Sequence, residues 1–182
     1  HAILPAFTIA LPPADAPRDA LVSGKFAGPG NLRVDRPGSV PGDTGPLHGS
    51  RPTGIAFPFI GQAVQGFSGI KPVAGAPGEF WVLTDNGFGN KRNSPDSLLF
   101  FHRIRADFRT GTVTVLATTF LSDPDRRMSF RIAYEGTAQR YLTGADFDPE
   151  SIQPLADGSF LIGEEFGPFL IHVSATGVVQ RV

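Results

Sequence analysis

Residues Tyr141–His172 read YLTGADFDPESIQPLADGSFLIGEEFGPFLIH. Two short apolar runs flank the turn signal Ala156-Asp157-Gly158-Ser159. Asp-Gly between alternating apolar residues is a strong hairpin cue. Glu150 then leads into one strand and Glu164-Glu165 close the next, with Asp146 and Asp148 just upstream. Carboxylates massed at strand ends repel one another unless a cation, a basic partner or bulk water relieves them.

The pattern has a counterpart about 80 residues earlier in the chain. Ser68-Gly69-Ile70 matches Glu150-Ser151-Ile152, and Phe80-Trp81-Val82-Leu83-Thr84-Asp85-Asn86-Gly87 matches Phe160-Leu161-Ile162-Gly163-Glu164-Glu165-Phe166-Gly167. Strands are expected near Gly66–Val73, Glu79–Thr84, Ser97–Arg105 and Thr112–Leu121. Ser97–Phe108 also has helical spacing at Leu98, Phe101, Ile104 and Phe108, but its neighbours favour a strand. Four strands in about 55 residues is the size of one propeller blade. The expected fold is therefore all-β, a partial β-propeller over 20–182. It has one blade at about 64–121, an insertion at about 122–145 and a second blade at about 146–182. Residues 1–19 read as an extended lead-in, further strands are expected near 20–34, and 35–54 as a long loop. Pro58 marks Gly54–Ile60 as an edge strand. Two blades do not close a propeller, which takes roughly four to eight, so the remaining blades are expected from another chain or a missing segment.

The bulk numbers bound the function. With 41% apolar residues and a net charge of −1, the 182-residue chain describes an ordinary globular protein. No basic run suggests nucleic acid or an anionic membrane. No stretch reaches the roughly 18 apolar residues of a spanning helix. Cysteine is absent, which removes disulfides, thiolate nucleophiles and Cys-based zinc sites. The chain opens on His1 without an initiator Met, as either a mature terminus after signal removal or a cut edge would.

Most standard motifs fail. Gly66-Phe67-Ser68-Gly69 lacks the second spacer of a nucleophile elbow, and Gly87-Phe88-Gly89-Asn90-Lys91-Arg92 is neither a dinucleotide loop nor a P-loop. His1, His48, His102 and His172 share no zinc spacing. Asp146-Phe147-Asp148-Pro149-Glu150 imitates an EF-hand start without its glycine and closing glutamate, which leaves Asp146 and Asp148 to turn chemistry. What remains is an all-oxygen constellation of Asp85, Asn86, Glu150, Glu164 and Glu165. Hard cations such as calcium take six to eight oxygen ligands, and equivalent strand positions of successive blades converge on a propeller's channel. Strand alternation lets one of Glu164 and Glu165 face that channel, and alignment with Asp85 favours Glu165. The plainer alternative makes Asp85-Asn86-Gly87 a tight turn and the glutamates solvated strand ends. Lys91, Arg92 and Arg140 are candidate anion contacts, against an ordinary solvated role.

GFSGI at Gly66–Ile70, FWVLTDNGFGNK at Phe80–Lys91, LTGADFDPESI at Leu142–Ile152 and DGSFLIGEEFGPFLIHV at Asp157–Val173 together resemble the phytase-like family, "esterase-like activity of phytase". The resemblance runs over roughly residues 53–182 and covers only the N-terminal portion of the family domain. It implies a bacterial, secreted or periplasmic β-propeller with a divalent metal, and places the family's site at Asp85, Asn86, Glu150, Glu164 and Glu165. On that basis the expected activity is metal-dependent hydrolysis of phosphate esters, with a metal-bound water as nucleophile and Lys91, Arg92 and Arg140 on the substrate. No residue is singled out as catalytic. Two alternatives stand: a lactonase or carboxylesterase of similar geometry, and a non-catalytic binding propeller with structural calcium.

Overall fold

A computed structural model describes residues 1–5 and 8–182. Among the described residues there is no α-helix, only 3-10 turns at Arg18–Leu21, Pro29–Asn31 and Pro46–His48. The strands are β1 (Ile9–Ala10), β2 (Val22–Ser23), β3 (Val40–Asp43), β4 (Pro52–Phe57), β5 (Phe59–Ile60) and β6 (Gln62–Ala63), then β7 (Phe67–Pro72), β8 (Glu79–Thr84), β9 (Phe100–Asp107) and β10 (Thr112–Phe120). The last four are β11 (Pro149–Pro154), β12 (Phe160–Glu164), β13 (Leu170–Val173) and β14 (Val179–Arg181).

Two four-stranded antiparallel meanders dominate, β7-β8-β9-β10 and β11-β12-β13-β14. Each has its strands joined in sequence order, as short turns such as Asp157-Gly158 dictate. Their first two strands carry the same register. Gly69, Ile70, Lys71 and Pro72 pair with Leu83, Val82, Trp81 and Phe80. Ser151, Ile152, Gln153 and Pro154 pair with Gly163, Ile162, Leu161 and Phe160. Both ladders slip at the same point, between Phe67 and Gly69 in one and between Pro149 and Ser151 in the other. The extra residues are Ser68 and Glu150, the two that the sequence alignment matched. A bulge leaves one residue unpaired and re-aims its side chain.

The sheets meet along β7 and β11. Gly69 makes the approach possible, because a Cβ there would stand 3.1 Å from the Ile152 amide nitrogen. Between the sheets lies one apolar core that includes Leu83, Phe101, Ile152, Phe160, Ile162, Ile171 and Val173. Phe160 is its junction, 5.0 Å from Trp81 and 4.6 Å from Phe101 by ring centroids. Burying each such side chain is worth about 1.5–3 kcal/mol. The strand preferred over a helix for Ser97–Phe108 is found as β9.

The N-terminal region differs from expectation in detail. It forms two-stranded ladders β1-β6, β2-β5 and β3-β4. The segment 35–54 therefore holds part of a hairpin as well as loop. The single strand expected over Gly54–Ile60 is split at Pro58, since proline has no N–H to give a ladder. The lead-in is tied down, with Ile9-Ala10 paired to Gln62-Ala63 and Ile3 bridged to Thr112. Between β10 and β11 the chain is irregular, and a buried ion pair braces it. Arg140 Nη2 stands 2.9 Å from Asp123 Oδ2, and Arg140 Nη1 stands 2.7 Å from Glu135 Oε1.

Candidate metal centre

Three chain segments deliver acids to one place. Asp85 directly follows β8, Glu165 directly follows β12, and Asp148 and Glu150 straddle the start of β11. Carboxylate oxygens of Asp148, Glu150 and Glu165 lie within 4.8 Å of one another. Asp85 stands outside this trio but close enough for its charge to act on the Asp148 carboxyl.

The local chain is built to hold Asp148 in place. Asn86, itself buried, donates from Nδ2 to Asp148 Oδ2 at 2.8 Å and accepts the Gly89 N–H at Oδ1 over 2.9 Å. The Asp148 carbonyl accepts the Glu165 N–H at 3.0 Å, which locks the exit of β12 to the entry of β11. Gly144 permits the crossing that brings Asn86 within reach. A Cβ on it would fall 1.7 Å from the Asn86 carbonyl oxygen.

The electrostatics follow from burial among like charges. Asp148 is 5% exposed, and its Oδ1 is buried with no hydrogen-bond donor. Burial first, then the carboxyls of Asp85, Glu150 and Glu165, push the Asp148 carboxyl up to about 7. Glu150 is exposed by comparison, and partial desolvation together with Glu165 and Asp85 raises it as well. Two like charges about 5 Å apart repel by about 3 kcal/mol at the effective dielectric of a protein surface. A divalent cation removes that repulsion and gives the orphaned Asp148 oxygen a partner. Carboxylate-only donors suit a hard cation, so the residues present fit such an ion. Asp148, Glu150 and Glu165 would hold it, with Asp85 beside them.

The other expected site residues are distributed as follows. Asn86 orients Asp148 and leaves its carboxylate as the donor. Glu164 turns back on its own chain, accepting the Phe166 N–H at 2.9 Å and the Gly167 N–H at 2.8 Å, so it caps the turn after β12. Lys91 Nζ sits 4.7 Å from the centroid of the Phe166 ring, next in sequence to Glu165. Arg92 is exposed. Arg140 is 2% exposed and committed to Asp123 and Glu135, which gives it a bracing task in place of the expected anion contact. Asp146 behaves as a turn former, accepting the Ala133 and Thr143 N–H groups at 2.8 and 2.7 Å. Asp148 is the correction: it stands at the centre of the cluster and was assigned to a turn. Its spacing of two from Glu150 was the available signal, since alternate residues of extended chain share a face.

A family model described as phytase-like, esterase-like activity of phytase, matches residues 62–182. The chain belongs to the phytase-like family. No curated protein and no solved structure matches it. The matched span begins at β6 and takes in both four-stranded sheets, so every acid of the cluster lies inside it.

Proposed function

We propose that this chain is part of a β-propeller that hydrolyses phosphate esters with the help of a divalent cation, calcium being the best match to the donors. The observation that carries this is the buried, donor-free Asp148 oxygen among three further carboxylates, in a chain of the phytase-like family. When bound, such a cation supplies Lewis-acid polarisation of a phosphoryl oxygen and acidifies a water. The chain's own residues do the rest. Asn86 fixes Asp148 through the carboxylate's Oδ2 and leaves its buried Oδ1 without a partner. Lys91, whose ammonium lies over the Phe166 ring, offers a positive charge to the ester, lowering the cost of bringing a dianion to an acidic site.

The propeller itself is supported by how the sheets pack. The face of the second sheet laid on the first carries Ile152, Phe160, Ile162 and Val173. The register-equivalent face of the first sheet, Ile70, Phe80, Val82 and Ile104, lines an apolar groove with the N-terminal Ala2, Ile3 and Leu4 at its wall. A further sheet packed there, and so on around a ring, repeats one interface.

The test is to strip metal with a chelator, verify its removal, and assay a phosphomonoester such as p-nitrophenyl phosphate. Activity should vanish and return with calcium. Unchanged turnover in verified metal-free protein contradicts the proposal. Preferential turnover of aryl carboxylic esters or lactones would redirect it to a carboxylic substrate.

A further inference from the structure

We propose that Phe166 is the positioning residue of an anion-binding arm at this site: its ring, on the residue that follows Glu165, holds the Lys91 ammonium, so that Lys91 meets the anionic group of the ester. The inference rests on the phosphate-ester reading above and names how that site would select a charged substrate.

The Lys91 Nζ stands 4.7 Å from the Phe166 centroid, within the range at which a ring face attracts an ammonium. A lysine on a four-carbon stem otherwise ranges widely, and ordering it costs side-chain entropy. The ring is carried on a main chain that is itself held. Glu164 receives the amides of Phe166 and Gly167 at 2.9 and 2.8 Å. The neighbouring Glu165 amide is bound to the Asp148 carbonyl at 3.0 Å. Gly167 completes the turn, because a Cβ there would lie 2.7 Å from the Phe169 ring.

The loop that carries Lys91 is anchored to the same acid. Asn86 joins Asp148 on one side and the Gly89 amide on the other, at 2.8 and 2.9 Å. Asn93 Nδ2 closes the loop on the Phe88 carbonyl at 2.6 Å. Cation-binding acids and a cation-bearing lysine are therefore referred to one anchor. Of the three basic residues that the sequence offered, Arg140 is engaged elsewhere and Arg92 is exposed without a fixing contact among those described. Glu164 acquires a purpose here too, as the residue that sets the ring.

Inorganic phosphate, titrated by calorimetry into calcium-saturated protein, reads the arm without turnover. Lys91→Ala should weaken phosphate binding about tenfold, and Phe166→Leu about threefold, the scale of one partly exposed cation–π contact. Phe166→Trp should restore wild-type affinity. Calcium affinity should stay within about twofold in all three, because none supplies a donor to the cation. With a phosphomonoester, Phe166→Leu should raise KM and leave kcat unchanged. Unaltered phosphate binding in Phe166→Leu overturns the proposal, as does a loss of calcium in parallel with phosphate. A wild type that takes up calcium but no phosphate overturns the anion arm alone. One that takes up neither overturns the cation site as well.

Discussion

The two four-stranded sheets are nearly the same object with different ends. Both are meanders, both pair their first two strands in one register, and both bulge at the second residue of the first strand. Yet the bulged residue is Ser68 in one and Glu150 in the other, and the residue after the second strand is Asp85 in one and Glu165 in the other. The first sheet thus contributes one acid to the cluster, and the second contributes Asp148, Glu150 and Glu165. Backbone geometry is what the repeat conserves within this chain. Chemistry is written into the few positions where that geometry aims a side chain at the junction of the sheets.

The comparison can be broken most severely at the glycines that let the halves meet. Gly144→Ala would drive a methyl to 1.7 Å from the Asn86 carbonyl oxygen. Backbone has no room to yield there, so a loss of about 3 kcal/mol or more is expected, seen as a fall in the thermal or denaturant midpoint. Gly69→Ala presses on the Ile152 amide at a milder 3.1 Å and should cost about 1–2 kcal/mol. Equal effects would mean that the β7–β11 seam and the loop crossing are held equally tightly, against the geometry described.

A subtler break is Asp85→Asn, which removes the first sheet's only acid from the cluster. With a negative neighbour gone, the Asp148 carboxyl should titrate below its present value of about 7. Cation affinity should fall by roughly tenfold at the loss of an adjacent carboxylate, about 1.4 kcal/mol. Carboxyl carbon shifts followed against pH by NMR read the first effect, and calcium titration reads the second.

The pH dependence of the metal-free protein has a definite sign. Asp148 titrates near 7 in the folded chain and near 3.9 when unfolded. Between those values the folded state holds the extra proton, so stability falls as pH rises through that window and levels off above it. Asp148→Asn should reduce this slope, leaving the smaller part that the raised Glu150 carboxyl contributes. Calcium should also reverse it, because cation binding expels the proton and strengthens as pH rises. Denaturant midpoints from pH 4 to 8, with and without calcium, check both.

Much of this was legible in the sequence, for physical reasons. The Asp157-Gly158 turn and the alternating apolar residues fix strands by local chemistry alone. The alignment of Ser68 with Glu150 and of Asp85 with Glu165 survives as a shared register and a shared bulge. Asp148 was hidden because its role comes from burial, which depends on Gly144 admitting the Asn86 loop. Glu164 lies outside the trio because its side chain bends back on two amides, a property of the turn that strand alternation does not reveal. Arg140 was misread because its partners, Asp123 and Glu135, reach it through an irregular segment with no periodicity. The β1-β6 and β2-β5 ladders escaped because they are two-residue pairings between segments far apart in sequence.

The account turns on Asp148. Calcium should be titrated calorimetrically into wild type and Asp148→Asn at pH 7.5, with circular dichroism confirming that both are folded. The account predicts one ion per wild-type chain, with net proton release that grows as the buffer is taken toward pH 6, and affinity at least about tenfold weaker in the variant. Equal affinity in the two proteins, or no binding to a folded wild type, would contradict it.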